Sequence, residues 1–351
     1  MDYVADVLSS GEKKIRILSV ARPIQSNFSF FRSEDVVVSD NVSAHFFNTF
    51  VCDKKIIKVL SSLWIFFSLF LYLVFHLKRN SILVVYHSMA YVELIILVKK
   101  LFHIKLILEV EEVYSDVSFV SLSKSKKEQR LFLIADSYIF PTELLDEKVN
   151  YSKKPSLIIY GNYSLPHTQR NKIDDGKIHV IYSGTFDTRK GGAITAIRAA
   201  EFLTSDYHVH ITGMGSEKQV AEVEREIDSI REKSKCVISY DGFIKDEEFI
   251  PYLQQFHIGI SSQNPDDKLS SSCFPSKILM YMSNGLSVLS SRAPAVIQSK
   301  ISPFIYFYDN SSAKSIADQI MKVSLDNNSR SIVQKFDKLC KNEMISFLAD
   351  I

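Results

Sequence analysis

The sequence predicts an α/β protein of two Rossmann-like parallel-sheet domains facing a cleft. Three observations carry this reading. Short β-branched runs alternate with longer helical patterns from about Lys14 onward, the signature of a parallel sheet crossed by helices. The alternation dissolves between Tyr151 and Lys177, where Pro155, Gly161, Pro166, Asp174, Asp175 and Gly176 punctuate the chain, and then restarts. The length, 351 residues, is more than one hydrophobic core usually organises and suits two. The expected layout is a first domain over 1–160, a linker over 161–177, a second domain over 178–325 and a helical segment over 326–351. Ligands of such sheets sit outside the carboxyl ends of the strands, which is why a cleft is expected.

In the first domain, MDYVADVLSSGEKK reads as a short amphipathic helix without the basic and apolar regions of a secretory signal, so the chain is expected to stay in the cytoplasm. The clearest strands are KIRILSV, SILVVYH, IKLILEV and SYIFP. Helices are expected at Lys55 to His76, Met89 to Phe102 and Ser123 to Ile134. Val59 to Leu77 carries no formal charge when His76 is neutral, and it nearly matches a bilayer core in length. It reads either as a membrane span or as a helix that is buried or lies in the membrane interface. Lys54, Lys55, Lys58, Lys78 and Arg79 flank it, and Lys99, Lys100 and Lys105 follow a second apolar run. Such clusters attract anionic headgroups and favour a peripheral place on the inner face of the cell membrane; they also read as solvated helix ends.

The second domain restarts with the strand IHVIYSG and a helix from about Gly192. The strand HVHITG, a charged helix through Ile230 and the strand CVISY come next. A short helix, the strand HIGISS, another helix and the strand LSVLSS complete it.

Composition narrows the function. A net charge of +2 is too mild for a nucleic-acid footprint, so DNA and RNA are not expected partners. Cys52, Cys236, Cys273 and Cys340 form no CxxC pair, which argues against a disulfide framework or a cysteine zinc site and for a reducing compartment.

Three strand-to-loop junctions of the second half put small residues where a backbone approaches a ligand. The first runs from Ser183 through Gly184, Thr185, Arg189, Lys190 and Gly191 to Gly192. Its glycines permit close approach, a helix start offers amides, and Arg189 or Lys190 supplies charge for a phosphate. The second carries Gly213 and Gly215. The third is Phe274-Pro275-Ser276-Lys277, with Pro275 placed in the first helical turn. Singly, each also reads as an ordinary turn or helix start.

Together, in this order and spacing, Gly184 to Ser290 resembles the donor-binding domain of GT-B glycosyltransferases, in particular the retaining family 4 of bacterial surface-polysaccharide transferases. Gly184, Lys190 and Gly191 match the family's Gly-Arg-x-x-x-x-Lys-Gly loop, with Thr185 in place of its arginine. Gly213 and Gly215 match its Gly-x-Gly. Tyr240-Asp241-Gly242-Phe243 matches the loop beside the nucleobase. The family's two glutamates, eight positions apart, correspond to Ser272 and Met280, so both carboxylates are missing. The family also begins with a strand and a glycine-rich loop before its first helix, whereas this chain starts at the helix.

The resemblance implies a nucleotide-sugar donor bound through its diphosphate by Lys190, Lys277 and neighbouring amides, with no cofactor and no metal required. On the first half, Leu108 to Tyr114 closes a strand where the family faces its acceptor. Glu111 is the preferred group to take a proton from the acceptor hydroxyl, with Glu112 and His87 beside it and Glu109 read as solvated. His87 also reads as a satisfied strand-end histidine. The implied reaction is retaining transfer to a lipid-linked saccharide in capsule, O-antigen or exopolysaccharide synthesis. Two alternatives stand beside it: a catalytically inactive scaffold that binds nucleotide, and a sugar-nucleotide epimerase on the same architecture.

Overall fold

The computed structural model describes residues 2–9, 13–20, 29–51, 54–117, 121–186, 192–263, 272–326 and 328–351. The chain forms two compact units. The first comprises Met1–Phe140, Asp146–Ile158 and Leu339–Ile351, and the second Pro141–Leu145 and Ile159–Lys338.

The first unit opens with helix α1 (Asp2–Ser9), which contacts strand β1 (Ile15–Ser19). Four short strands follow, β2 (Ser29–Phe31), β3 (Glu34–Ser39), β4 (Val42–Phe46) and β5 (Thr49–Val51). β1 pairs in parallel with β4, β3 pairs antiparallel with β4, and β2 pairs antiparallel with β5. After α2 (Lys55–His76) come β6 (Ile82–Tyr86), α3 (Val92–Phe102), β7 (Lys105–Glu109), α4 (Tyr114–Val117), α5 (Leu122–Ile134) and β8 (Ser137–Phe140). α6 (Glu143–Val149) and β9 (Ser156–Ile158) close the run. Strands β6, β7, β8 and β9 form one parallel sheet in that order. β7 shows why: Leu106, Ile107 and Leu108 are all fully buried, so both faces of the strand are covered, as helical crossovers require. No ladder joins β1 to β6 among the described residues. Instead, Ile15, Ile17, Leu18, Ile82, Leu83 and Glu109 line a cavity of about 270 Å³.

α2 is neither buried nor polar. Ser61, Ile65 and Leu73 are its only buried residues, while Ile56, Leu60, Leu63, Phe67, Leu71 and Phe75 are each more than half exposed. Their spacing of three or four residues lays them in one stripe along a helix long and apolar enough to cross a membrane. The opposite side packs on the body of the unit: Leu73 joins Leu94, Val98 and Ile104 in a core cluster, and the Ser61 and Thr49 hydroxyls bond at 3.1 Å.

The second unit is one six-stranded parallel sheet. Its elements are β10 (Ile178–Thr185), α7 (Gly192–Ala199), β11 (Tyr207–Met214), α8 (Glu217–Arg231), β12 (Val237–Gly242), α9 (Asp246–Leu253) and β13 (Ile258–Ser261). Then come α10 (Ser276–Ser283), β14 (Ser287–Ser291), α11 (Pro294–Ile297), β15 (Tyr306–Tyr308), α12 (Ala313–Ile320) and α13 (Ser329–Ala349), whose residues from Leu339 onward belong to the first unit. The spatial order β12-β11-β10-β13-β14-β15 is the doubly wound order, with its switch point between β10 and β13. Alternation along β10 and β11 sends Val180, Tyr182, Val209 and Ile211 to one face, where Ala196 and Ile197 of α7, Val223 and Ile227 of α8 and Ile316 of α12 cover them. Each such aliphatic contributes roughly 1.5–3 kcal/mol by leaving water. α8 begins at a capping box: the Ser216 hydroxyl accepts from the Gln219 amide, and the Gln219 side chain accepts from the Ser216 amide at 2.8 Å.

Residues 159–177 are stitched onto this unit. Gln254 accepts from the Arg170 amide at 2.9 Å and donates to the Thr168 carbonyl at 2.7 Å. Lys172 donates to the carbonyls of Phe256 and Gly285, and burial pushes its ammonium down to about 8.

Candidate functional site

Because the strands of the second unit are parallel, their carboxyl ends share one edge, and β10 anchors it. Gly184 and Gly213 are register partners at the ends of β10 and β11. Gly213 has φ +146°, and a Cβ there would collide with the carbonyl of Gly184. Glycine at this position is a steric requirement rather than a preference. A Cβ on Gly184 would run into the Lys277 side chain, so the lysine of α10 lies directly against the end of β10. Its Nζ is 4.1 Å from the centroid of the Tyr182 ring, a cation–π distance. Burial pushes the Tyr182 phenol up to about 12, which keeps it neutral beneath the ammonium. Gly192, the first residue of α7, belongs to the same group: a Cβ there would lie 2.6 Å from both the Tyr182 and the Ser262 hydroxyls. Gly184, Gly192 and Lys277 therefore gather around Tyr182.

α10 starts one residue later than the sequence suggests. Pro275 is its N-cap with φ −68° and ψ 114°, no side chain caps the helix, and exposed Ser276 opens it. Its amides are the positive end of a helix dipole. Tyr281, one turn after Lys277 on the same face of α10, is fully buried, and its hydroxyl accepts from the Ser183 amide at 3.0 Å. Its ring fills the space over Gly259, where any side chain would clash.

Sequence reasoning missed a group of hydroxyls at this edge. Ser261, Ser262, Ser272 and Ser290 each bury an oxygen that has no hydrogen-bond partner among the described residues, as does the Gln263 carbonyl oxygen. Ser261 and Ser290 are register partners on β13 and β14. Buried polar atoms left without protein partners mark a place for a polar ligand or water. Serines this common in a sequence carry no signal for it, although Ser272 was noticed as the replacement of a glutamate.

The remaining predicted donor residues are distributed as follows. Arg189, Lys190 and Gly191 lie outside the described residues. Thr185 is exposed at the end of β10, and Gly215 precedes the capping box of α8. Gly242 ends β12 with φ +77° and open space around it, and Phe243 beyond it is 54% exposed. Asp241 turns away from this loop: burial alone would raise its carboxyl, but bonds from His210, Ser239 and Tyr252 hold it down at about 2. Phe274 is buried and packs on Tyr160 at 5.1 Å, which leaves its ring no open face for a base.

On the first unit, the predicted acceptor-side residues take two different places. Glu111 is exposed and accepts from the Tyr86 hydroxyl at 2.9 Å, at the carboxyl ends of β7 and β6. Glu112 uses its carbonyl to accept from His87 Nδ1 at 3.2 Å. His87 is 3% exposed, stacks on Tyr114 at 4.6 Å, and sits 3.3 Å from the Glu128 carboxyl without hydrogen-bond alignment at Nε2. Burial pushes its imidazole down to about 4, so the ring is neutral and its faces are covered. Glu109, read from the sequence as solvated, is 6% exposed, and burial raises its carboxyl. The correction has a plain cause: both faces of β7 are covered, and its last residue is covered with them.

No family model and no curated protein matches the sequence. Solved structures do match in fold. Sucrose-phosphate synthase from Thermosynechococcus elongatus aligns with a TM-score of 0.64 at 13% identity, over 99% of this chain and 91% of that one. HepE from Anabaena, in complex with UDP, aligns with a TM-score of 0.61 at 11% identity, over 88% and 86%. The lipopolysaccharide outer core galactosyltransferase WaaB aligns with a TM-score of 0.58 at 14% identity, over 89% and 85%. The architecture is that of the GT-B fold, two Rossmann-like domains in one chain.

Proposed function

We propose that this protein is a glycosyltransferase that moves a sugar from a nucleotide-sugar donor to a saccharide acceptor. The observation that carries the reading is the meeting of Lys277, Gly184 and Gly192 at the carboxyl edge of the second sheet, beside buried hydroxyls that have no partner among the described residues. An ammonium held over a neutral ring, next to two helix starts, suits the charge that develops on a leaving diphosphate. In this reading Lys277 and the amides opening α7 and α10 stabilise that charge, Lys190 and Arg189 add to it, and no metal is called on. Ser261, Ser262 and Ser290 supply neutral polar contacts in place of the glutamate pair of the family that the sequence resembles. A uridine nucleotide is the first donor to try, given the UDP held by HepE.

On the acceptor side, exposed Glu111, bonded to Tyr86, is the group proposed to take the acceptor's proton. His87 holds the strand end in place. The exposed apolar stripe of α2, with Lys54, Lys55, Lys58, Lys78 and Arg79 at its ends, supports a lipid-linked acceptor and a peripheral place on the cytoplasmic membrane face. Surface-polysaccharide synthesis, with retention at the anomeric carbon, is the proposed setting; the likeness to WaaB supports it by fold alone.

The test is to incubate the protein with a panel of nucleotide sugars and membrane lipid extract and to follow release of nucleoside diphosphate. Release that requires lipid extract is the expected outcome, and product NMR then reads the anomer. Neutral Ser272 and half-buried Met280, where the family that the sequence resembles carries glutamates, favour one second reading, an inactive nucleotide-binding scaffold. Tight nucleotide binding without transfer to any extract identifies it.

A further inference from the structure

The face of the second sheet opposite the main aliphatic core carries histidines. His179 stands on β10, and His208 and His210 on β11, and at least one nitrogen of each lies within 4.8 Å of the others. His179 and His208 are register partners, and His208 and His210 alternate onto the same face. His179 and His210 are buried, and His208 is half-buried.

The hydrogen bonds around them fix the tautomers. His179 Nε2 lies 2.9 Å from Asp175 Oδ1, and His210 Nδ1 lies 2.7 Å from Asp241 Oδ2. A carboxylate only accepts, so those two nitrogens are the protonated ones. Neutral rings held this way turn bare lone pairs outward from His179 Nδ1 and His210 Nε2. These two atoms are 2.9 Å apart. Two lone pairs at that separation repel, so the arrangement requires a positive centre shared between them. A proton meets the need for two rings. A third imidazole, His208, with a nitrogen within 4.8 Å of those of the other two, goes beyond what a proton uses.

We propose that His179, His208 and His210 bind a divalent transition-metal cation of the Zn²⁺ class, at a structural site separate from the donor edge. Three neutral imidazoles select borderline cations over Mg²⁺ or Ca²⁺, which take oxygen ligands. Asp175 and Asp241 stand where outer carboxylates orient metal-bound histidines, each on the nitrogen that faces away from the shared gap. Three histidines leave the fourth position of a tetrahedral site to water, and burial keeps substrate away from it. The position is five residues along β10 from Gly184, roughly 17 Å at strand rise, so the cation has no part in sugar transfer. What it joins is local: β10 and β11 directly, then through the carboxylates residue 175 ahead of β10, β12, and α9 by way of the bond from the Tyr252 hydroxyl to Asp241.

The experiment uses the full chain, stripped with a chelator and titrated with Zn²⁺ in competition with a chromophoric chelator. One equivalent bound, a higher Tm, and tetrahedral visible bands on Co²⁺ substitution are expected. His208→Gln is the variant of choice, because His208 is half-buried and bonds the Ser239 hydroxyl at 3.0 Å, so its loss spares the carboxylate-bonded pair. Its circular dichroism should match the wild type, while the Co²⁺ bands vanish and Zn²⁺ affinity falls at least tenfold. Wild-type protein that binds Zn²⁺ no better than His208→Gln overturns the proposal. So does a chelator-treated protein whose imidazole ¹⁵N spectrum shows three N–H protons on His179 and His210 and does not respond to Zn²⁺, since a proton alone then fills the gap.

Discussion

The two units repeat one alternation of strand and helix and use their strand ends in opposite ways. In the second, the sheet is unbroken from β12 to β15, and the carboxyl edge is made of glycine and serine. Small residues let Lys277 lie against Gly184 and leave buried hydroxyls with no partner among the described residues. In the first, the strands among the described residues fall into three sheets, β1 and β6 face a cavity of about 270 Å³, and the strand ends carry titratable groups. Two of them turn inward: His87 and Glu109 are buried and shifted by burial, as is Glu128 of α5 beside His87, while Glu111 stays exposed. A strand end built from glycine leaves room for a ligand, whereas one built from buried histidine and glutamate directs its polarity at the protein itself.

The largest effect that tests the second half of this contrast is on turnover. Lys277→Ala should lower nucleoside diphosphate release by about 10²–10³-fold, the size of one lost electrostatic stabiliser. Loss of the contact with Tyr182 itself should cost about 1 kcal/mol of stability. Wild-type release by this variant removes Lys277 from the donor site. Next comes the steric claim. Gly213→Ala should cost about 3 kcal/mol or more in urea unfolding, because the residue has φ +146° and no room for a Cβ. Gly242→Ala, at φ +77° in open space, should cost only about 1 kcal/mol. Equal costs would mean that close approach of β10 and β11 does not govern this edge.

The first half of the contrast is a matter of pH. The His87 imidazole is pushed down from 6.5 to about 4 by burial, so the unfolded chain binds the proton more readily than the native one. The stability this contributes is fully present above pH 6.5 and is lost as pH falls through 4, about 3 kcal/mol in all. Glu109 and Glu128, raised by burial, slope the other way, so the measurement is the difference between wild-type and His87→Gln unfolding curves over pH 4 to 7. A flat difference would show His87 to be solvated in solution and would return it to the candidates for acceptor chemistry.

The fold was legible because its strands are continuous apolar runs and its helices long. KIRILSV, IKLILEV and LSVLSS each contain an observed strand, IHVIYSG lies within one, and the helix expected at Lys55 to His76 has those limits. The segment from Ser29 to Val51 was illegible, since its strands are short and β3, EDVVVS, is exposed at every residue. Of the candidate site, Gly184, Gly213 and Lys277 were visible because glycine and proline constrain a backbone in ways that can be read in one dimension. Ser261, Ser262 and Ser290 were not, because a hydroxyl becomes informative only when its surroundings deny it a partner. Glu109 misled for the same reason: its charge is printed in the sequence, and its burial is not.

α2 carries both behaviours on one helix, and it gives the smallest expected effect. Phe67 is 58% exposed in the apolar stripe, and Ile65, two residues earlier on the packed side, is 1% exposed. Phe67→Glu should leave urea stability near the wild type, because the ring contributes little to the core. It should weaken sedimentation with vesicles containing anionic lipid about tenfold, roughly 1.4 kcal/mol, as an aromatic ring no longer enters the interface and a negative charge meets the headgroups. Ile65→Glu should unfold the first unit, since it buries a carboxylate without a partner. Vesicle binding unchanged by Phe67→Glu, and unchanged again by adding Leu63→Glu, would mean that the stripe is not what meets the membrane, and the lipid-linked acceptor would lose its structural support.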